Sequence, residues 1–252
     1  MSTESYDVIV IGGGHNGLVC AFYLARAGKK VLVLERREIV GGAAVTEEFH
    51  PGFRNSAASY AVSLLSPKII AEMDLARHGL RVVIRPMAYF APAPDGRYLL
   101  LGRDKAENHA ALARLSAKDA AAYDPYNEKL DRLVDLLRSM LGKTPPNAGG
   151  GLRDIIAAAS LGNDVRQLRL EGQRDLLDFF AKSAGDILDA TFESDLVKGA
   201  LGFDAITGNY GSPYTPGSAY VLLHHVFGEV NGVKGAWGHA IGGMGAISID
   251  AV

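Results

Sequence analysis

Residues 6–35, YDVIVIGGGHNGLVCAFYLARAGKKVLVLE, limit the possible folds more tightly than any other stretch. Tyr6–Ile11 is an apolar, β-branched run of the kind that forms a buried parallel strand. Three glycines interrupt it, and helical periodicity then runs from about Asn16 to Ala27, with Gly28 placed to close the helix. A second apolar run, Lys30–Glu35, completes a β-α-β unit in roughly thirty residues.

Gly12, Gly14 and Gly17 have the spacing of the Rossmann dinucleotide fingerprint. The first glycine permits the tight turn, the second lets a diphosphate approach the backbone, and the third lets helix and strand pack closely. The helix N-terminus behind them offers unpaired N–H groups to phosphate oxygens. Glu35, at the end of the second strand, stands where a carboxylate accepts hydrogen bonds from a ribose hydroxyl pair and repels a 2′-phosphate, which disfavours NADP. Arg36 is expected on the adenine face and Arg37 in solvent. Gly41-Gly42 marks a second close approach of backbone to cofactor, which FAD requires and a simple NAD dehydrogenase does not; an ordinary loop turn is the alternative.

The chain has 252 residues, 48% hydrophobic and 21% charged, with a net charge of −2, and so lacks the basic excess of a nucleic-acid binder. Its one cysteine, Cys20, excludes a disulfide framework or a thiolate metal site and is expected as a small buried hydrophobe on the sheet-facing side of the first helix. The N-terminal MSTESYD lacks the pattern of a signal peptide, and AYVLLHHVF is too short to span a bilayer, so a cytoplasmic protein is expected.

Further along, Glu47–Tyr60 reads as extended segments around a Pro-Gly turn, and 66–78 as a helix with Ser66 as its cap. Leu80–Gly102 reads as two strands joined through Asp95-Gly96. Helices are expected near 104–116, 119–141, 152–161, 173–190 and 217–229. The order makes an α/β chain: a Rossmann-like β-α-β unit, a strand-rich patch, a largely helical body and a glycine-rich terminus.

Two stretches carry a family resemblance. Tyr6–Glu48 resembles the N-terminus of FAD-dependent oxidoreductases of the phytoene desaturase and amine oxidase superfamily. Phe192–Ile247, FESDLVKGALGFDAITGNYGSPYTPGSAYVLLHHVFGEVNGVKGAWGHAIGGMGAI, resembles the phytoene dehydrogenase-like branch, which includes pyridine nucleotide-disulfide oxidoreductase domain-containing proteins. The resemblance implies FAD as cofactor, hydride removal from a small or lipid-like organic substrate, and a Rossmann-like FAD-binding β-α-β unit with an inserted, largely helical α+β substrate domain, in three segments. These are an FAD-binding part (1–65), a substrate domain (66–240) and a return towards the FAD-binding part (241–252). It assigns Gly12, Gly14 and Gly17 to the diphosphate, Glu35 to the adenosine ribose and Gly41-Gly42 to the second cofactor approach. Ala43 stands where many relatives carry an arginine. Gly242, Gly243, Met244 and Gly245 would open a helix beside a flavin and substrate cavity, or mark a tightly packed helix entry.

His239, in GAWGHAIGG beside that cavity, is the general acid/base candidate. Trp237, Tyr210, Tyr214 and Tyr220 would line an apolar pocket or pack in the core. His15 falls in the phosphate loop, and His224 and His225 are expected as structural side chains. The family's chains continue with further strands and a late GD-type motif, which GAISIDAV does not begin. The sequence therefore reads as the N-terminal half of that fold, with the first strand left with an unpaired edge. Its partner would be a homo-oligomeric copy or a completing polypeptide, and a non-catalytic nucleotide-binding subunit is the alternative to an enzyme.

Overall fold

The computed structural model describes residues 4–249, so the outermost residues of the expected 1–65 and 241–252 segments lie outside the described residues. The chain forms two compact units, one of residues 1–85 with 228–252 and the other of Pro86–Phe227. These boundaries differ from those expected: 66–85 and 228–240 belong to the unit that carries the glycine loops.

The first unit begins with β1 (Val8–Ile11), α1 (His15–Arg26) and β2 (Val31–Leu34). β1 and β2 pair in parallel, Val8 opposite Val31 and Ile11 opposite Leu34. The expected cap holds: Gly28 adopts φ +81° and its N–H reaches the Ala25 carbonyl at 2.9 Å. β3 (Thr46–His50) and β4 (Phe53–Ser56) form the antiparallel pair around Pro51-Gly52. The helix expected over 66–78 is two short ones, α2 (Pro67–Glu72) and α3 (Leu75–His78), because Asp74 sits at φ +51° between them. β5 (Val82–Ile84) follows.

The second unit holds β6 (Met87–Pro92), β7 (Tyr98–Gly102), α4 (Lys105–Ala113), α5 (Ala117–Met140), α6 (Leu152–Gln167), α7 (Arg169–Ala181), α8 (Ala184–Thr191), α9 (Asp195–Ile206) and α10 (Ala219–Val226). β6 and β7 are the hairpin expected through Asp95-Gly96. The helix expected over 173–190 breaks at Ser183, whose hydroxyl accepts the Asp186 N–H while the Asp186 carboxylate accepts the Ser183 N–H. This reciprocal cap starts α8 afresh. Leu99, Leu101, Leu112, Leu133, Val134, Phe179, Phe192, Val197 and Leu223 form the fully buried core of this unit. The buried Asp119 carboxylate accepts the N–H groups of Glu193 (2.8 Å) and Ser194 (2.9 Å), holding the start of α9 against α5.

The chain then returns to the first unit through β8 (Glu229–Val230), β9 (Val233–Lys234), β10 (Gly238–Ala240) and α11 (Gly245–Ile249). β10 pairs antiparallel with β5, so the early strand expected to join the hairpin is instead matched by one more than 150 residues later, Ala240 opposite Val82. Ala44, Val62, Met73, Leu75, Leu80, Ala240, Met244 and Ile247 are the core of this unit.

The burial expected of β1 and α1 is not found. Along β1, Ile9 and Ile11 are 56% and 89% exposed, because among the described residues β2 is the only strand paired with it, which agrees with the unpaired edge expected for this strand. Cys20 is exposed rather than sheet-facing. It lies about 200° around the helix from the buried Leu18, on the opposite side of α1.

Candidate functional site

The two glycine loops meet through their backbones. The Gly41 N–H donates to the Gly13 carbonyl at 2.7 Å, and Gly14 and Gly41 form a parallel bridge. A Cβ on Gly42 would lie 3.1 Å from the Gly14 Cα, and one on Gly41 would lie 2.8 Å from the Ala44 carbonyl oxygen. Gly17 is tighter still: its Cβ would sit 2.3 Å from the Gly12 carbonyl oxygen, which is the close helix–turn contact the third glycine of the fingerprint exists to allow. Gly12 is needed for its backbone, at φ +102°, since nothing crowds it.

Glu35 holds the arrangement. One carboxylate oxygen accepts the Gly13 N–H at 2.7 Å and the other the Arg37 N–H at 2.9 Å. The N–H groups of Arg37 and then Gly13 hold its pKa below the usual carboxylate value. A carboxylate has about four lone-pair sites, so acceptor capacity is left for a ribose hydroxyl. Arg36 is exposed. Arg37 is not simply solvated: it pairs with Glu47 of β3. Gly14 is the N-cap of α1 and brings no side-chain cap, leaving the first-turn N–H groups to a ligand.

On either side of Gly41-Gly42 the chain lines a cavity of about 270 Å³ with Ile39, Val40, Val45, Thr46 and Arg54, together with Gly242, Gly245 and Ala246. The C-terminal glycines are latched to β3 and β4. The Gly245 N–H donates to Thr46 Oγ1 at 2.9 Å and the Met244 N–H to Ser56 Oγ at 3.1 Å. A Cβ on Gly243 would lie 2.3 Å from Thr46 Oγ1, and one on Gly245 2.7 Å from the Thr46 nitrogen. Tight packing and cavity lining, the two readings of GGMG, are thus both present. Thr46, Ser56 and Arg54 were not singled out by sequence, because no local motif marks a residue that acts on a loop some 190 positions away.

Other candidates lie elsewhere. Met244 is buried in the core of the first unit. His239, in the middle of β10, is exposed and has Nδ1 3.0 Å from the Tyr60 carbonyl oxygen; it does not line the cavity. Nor does Trp237, which accepts the Arg85 N–H at its carbonyl and lies under the Arg85 guanidinium. Tyr210, Tyr214 and Tyr220 belong to the second unit. Tyr210 is fully exposed, Tyr214 donates to Asp189, and Tyr220 packs on Phe180 and Phe227. His225 is buried with Nδ1 2.8 Å from the Val221 carbonyl oxygen, a structural role as expected. His15 is exposed at the start of α1. Among the described residues no cluster of His, Cys, Asp and Glu would hold a metal ion, and no helix is long and apolar enough to cross a membrane.

A parallel strand pair, a glycine turn into an uncapped helix and an acidic residue closing the second strand define a Rossmann-type β-α-β unit. Residues 10–73 accordingly match the NAD(P)-binding Rossmann-like domain family. The chain is homologous to pyridine nucleotide-disulfide oxidoreductase domain-containing proteins: protein 2 of that name from Rattus norvegicus is 42% identical over 269 residues, covering 98% of this chain and 45% of that protein. A limonene dehydrogenase subunit of Castellaniella defragrans is 44% identical over 119 residues, 46% of this chain and 21% of that protein. Cyclohexylamine oxidase from Brevibacterium oxydans IH-35A shares the fold, with a TM-score of 0.52 at 19% identity, over 98% of this chain and 49% of that one. The chain spans about half the length of the rat protein and of the cyclohexylamine oxidase.

Proposed function

We propose that the chain is the dinucleotide-holding part of an FAD-dependent oxidoreductase, of the phytoene dehydrogenase-like kind, that removes a hydride from a small or lipid-like organic substrate in the cytoplasm. The observation that carries this reading is the backbone-to-backbone seating of Gly13-Gly14 against Gly41-Gly42, with Val40 and Val45 leading into an adjoining cavity. A site for NAD alone has no need of the second loop. The diphosphate would lie on the N–H groups of Gly14 and the first turn of α1, the adenosine ribose on Glu35, and the middle of the dinucleotide along Gly41-Gly42. A bound flavin supplies hydride acceptance, and the protein's part is to bind, orient and exclude water. The names of the relatives, a limonene dehydrogenase subunit and a cyclohexylamine oxidase, support redox chemistry on small organic molecules. In this reading Pro86–Phe227 is the substrate domain and the other unit the FAD-binding part, and His239, which does not line the cavity, has no acid/base role in it.

A second reading, a non-catalytic subunit completed by another polypeptide or another copy, is favoured by one observation. Ile9, Ile11 and Leu34 expose a continuous apolar face on the β1–β2 pair. The experiment is to purify the chain and record its absorption between roughly 370 and 450 nm, where a bound flavin absorbs. A flavin band that releases FAD on denaturation supports the enzyme reading. Colourless protein that binds ADP supports the subunit, and protein that binds neither overturns both.

A further inference from the structure

The cavity beside Gly41-Gly42 has one charge in its wall. Its lining is aliphatic or glycine apart from Thr46, whose Oγ1 already accepts the Gly245 N–H, and Arg54. The β3–β4 hairpin puts the arginine there. Thr46 stands opposite Ser56 and Glu48 opposite Arg54, and residues that oppose one another or lie two apart share a face of an antiparallel pair. Thr46 and Ser56 hold the N–H groups of Gly245 and Met244, so Arg54 is set beside the same latch.

The guanidinium of Arg54 is short of partners. Its one bond among the described residues runs from Nη2 to the Thr46 carbonyl oxygen at 3.5 Å, a long contact for a group that carries five N–H donors. The carboxylates nearby are engaged or lie off the cavity. Glu35 accepts the N–H groups of Gly13 and Arg37, and Glu47 pairs with Arg37. Glu48, although opposite Arg54, accepts the Gly52 N–H at 2.8 Å and forms no ion pair among the described residues. Glu38 is exposed and does not line the cavity.

We propose that Arg54 makes this cavity a carboxylate site, taking an organic acid whose body is aliphatic. A carboxylate meets two guanidinium N–H groups at once, and the aliphatic walls receive the rest of the molecule. An ammonium head would face the arginine with no carboxylate in the lining to offset it, so the cavity selects against amines. At about 30 Å³ for each water-sized group, a cavity of about 270 Å³ holds roughly nine such groups, about the size of a six-carbon acid. That this acid is the substrate rests on the oxidoreductase reading; that Arg54 selects a carboxylate does not.

The test is titration of the purified chain, with and without FAD, with hexanoate, hexan-1-ol and hexylammonium, which share a tail and differ in the head. The backbone amide shifts of Gly242, Gly245 and Ala246 in NMR spectra report binding at the cavity. Hexanoate is expected to bind about tenfold tighter than hexan-1-ol, with hexylammonium weakest. Arg54→Gln is expected to remove that preference and to leave hexan-1-ol binding, FAD binding and the circular dichroism melt unchanged. Arg54→Glu is expected to reverse the order and put hexylammonium first, which a merely structural arginine would not do. Absence of hexanoate binding in both states, equal binding of acid and alcohol by wild type, or a preference for hexanoate that survives in Arg54→Gln overturns the proposal. So does a loss of FAD affinity in Arg54→Gln, which would assign the arginine to the cofactor's diphosphate. A chain that prefers hexanoate yet binds no FAD supports the carboxylate site and overturns the oxidoreductase reading instead.

Discussion

The carboxylate of Glu35 accepts the N–H of Gly13 across 22 positions of sequence, at 2.7 Å, and so ties the end of β2 to the turn that follows β1. With the Arg37 N–H on its other oxygen, the carboxylate is held ionised below its usual range. The sign follows: the ionised form is favoured in the folded loop, so its contribution is full above the unfolded pKa and is lost as pH falls through the depressed folded value. In NMR spectra the Gly13 and Arg37 amide protons are expected to titrate together below the ordinary carboxylate pKa. In Glu35→Gln they should not titrate. Independent titration of the two amides would separate them from Glu35.

Gly17→Ala and Gly199→Ala are expected to have opposite signs. The first drives a Cβ to 2.3 Å from a backbone oxygen and should cost about 2 kcal/mol or more, with loss of nucleotide binding. The second meets nothing within 4 Å in a helix and should stabilise by about 0.5–1 kcal/mol. Urea unfolding of both variants checks the pair.

Asp119→Ala should destabilise by about 2–4 kcal/mol, because it leaves two N–H groups at the start of α9 without their acceptor. Asp119→Asn keeps one carbonyl acceptor and should lose less. Chemical denaturation gives both values, and equal losses would mean that the charge, not the geometry, matters.

Burial, and then the neighbouring His225, lower the pKa of His224. Its neutral form is the one the fold prefers, so its contribution is whole above the unfolded value of 6.5 and declines as pH falls from there through the lowered folded value. The urea midpoint of the wild type is expected to drop between about pH 7.5 and 5.5, and in His224→Gln that drop should shrink. An unchanged pH dependence in the variant would assign the effect to other groups.

What was legible in the sequence was local. Gly12, Gly14, Gly17 and Glu35 follow one another within a single β-α-β unit, and the periodicities of β1, α1 and β2 agree with it. The hairpin through Asp95-Gly96 was legible for the same reason, since its turn chemistry lies between its strands. The partner of β5 was not, because β10 is set beside it by the return of the chain and by no nearby signal. Helix α9 was missed although Val197, Ala200, Leu201 and Ala205 form its buried stripe; Gly199 and Gly202 weaken the helical propensity of those residues. His239 was placed near the cavity on the strength of its neighbours in sequence. In a strand successive side chains point to opposite faces, so adjacency to Gly242 carried no information about direction.

The latch between Gly245 and Thr46 also has a meaning in time. Synthesis delivers Thr46 first, then the whole of Pro86–Phe227, and only afterwards the glycines that fasten to it. At about 5–20 residues per second, the nascent strands of the first unit wait roughly ten seconds or more on the ribosome for β10 and α11. During that interval the second unit, continuous in sequence, is free to fold first. The order of birth is therefore not the order of completion: the segment that announces the nucleotide site emerges before Pro86–Phe227 and is finished after it.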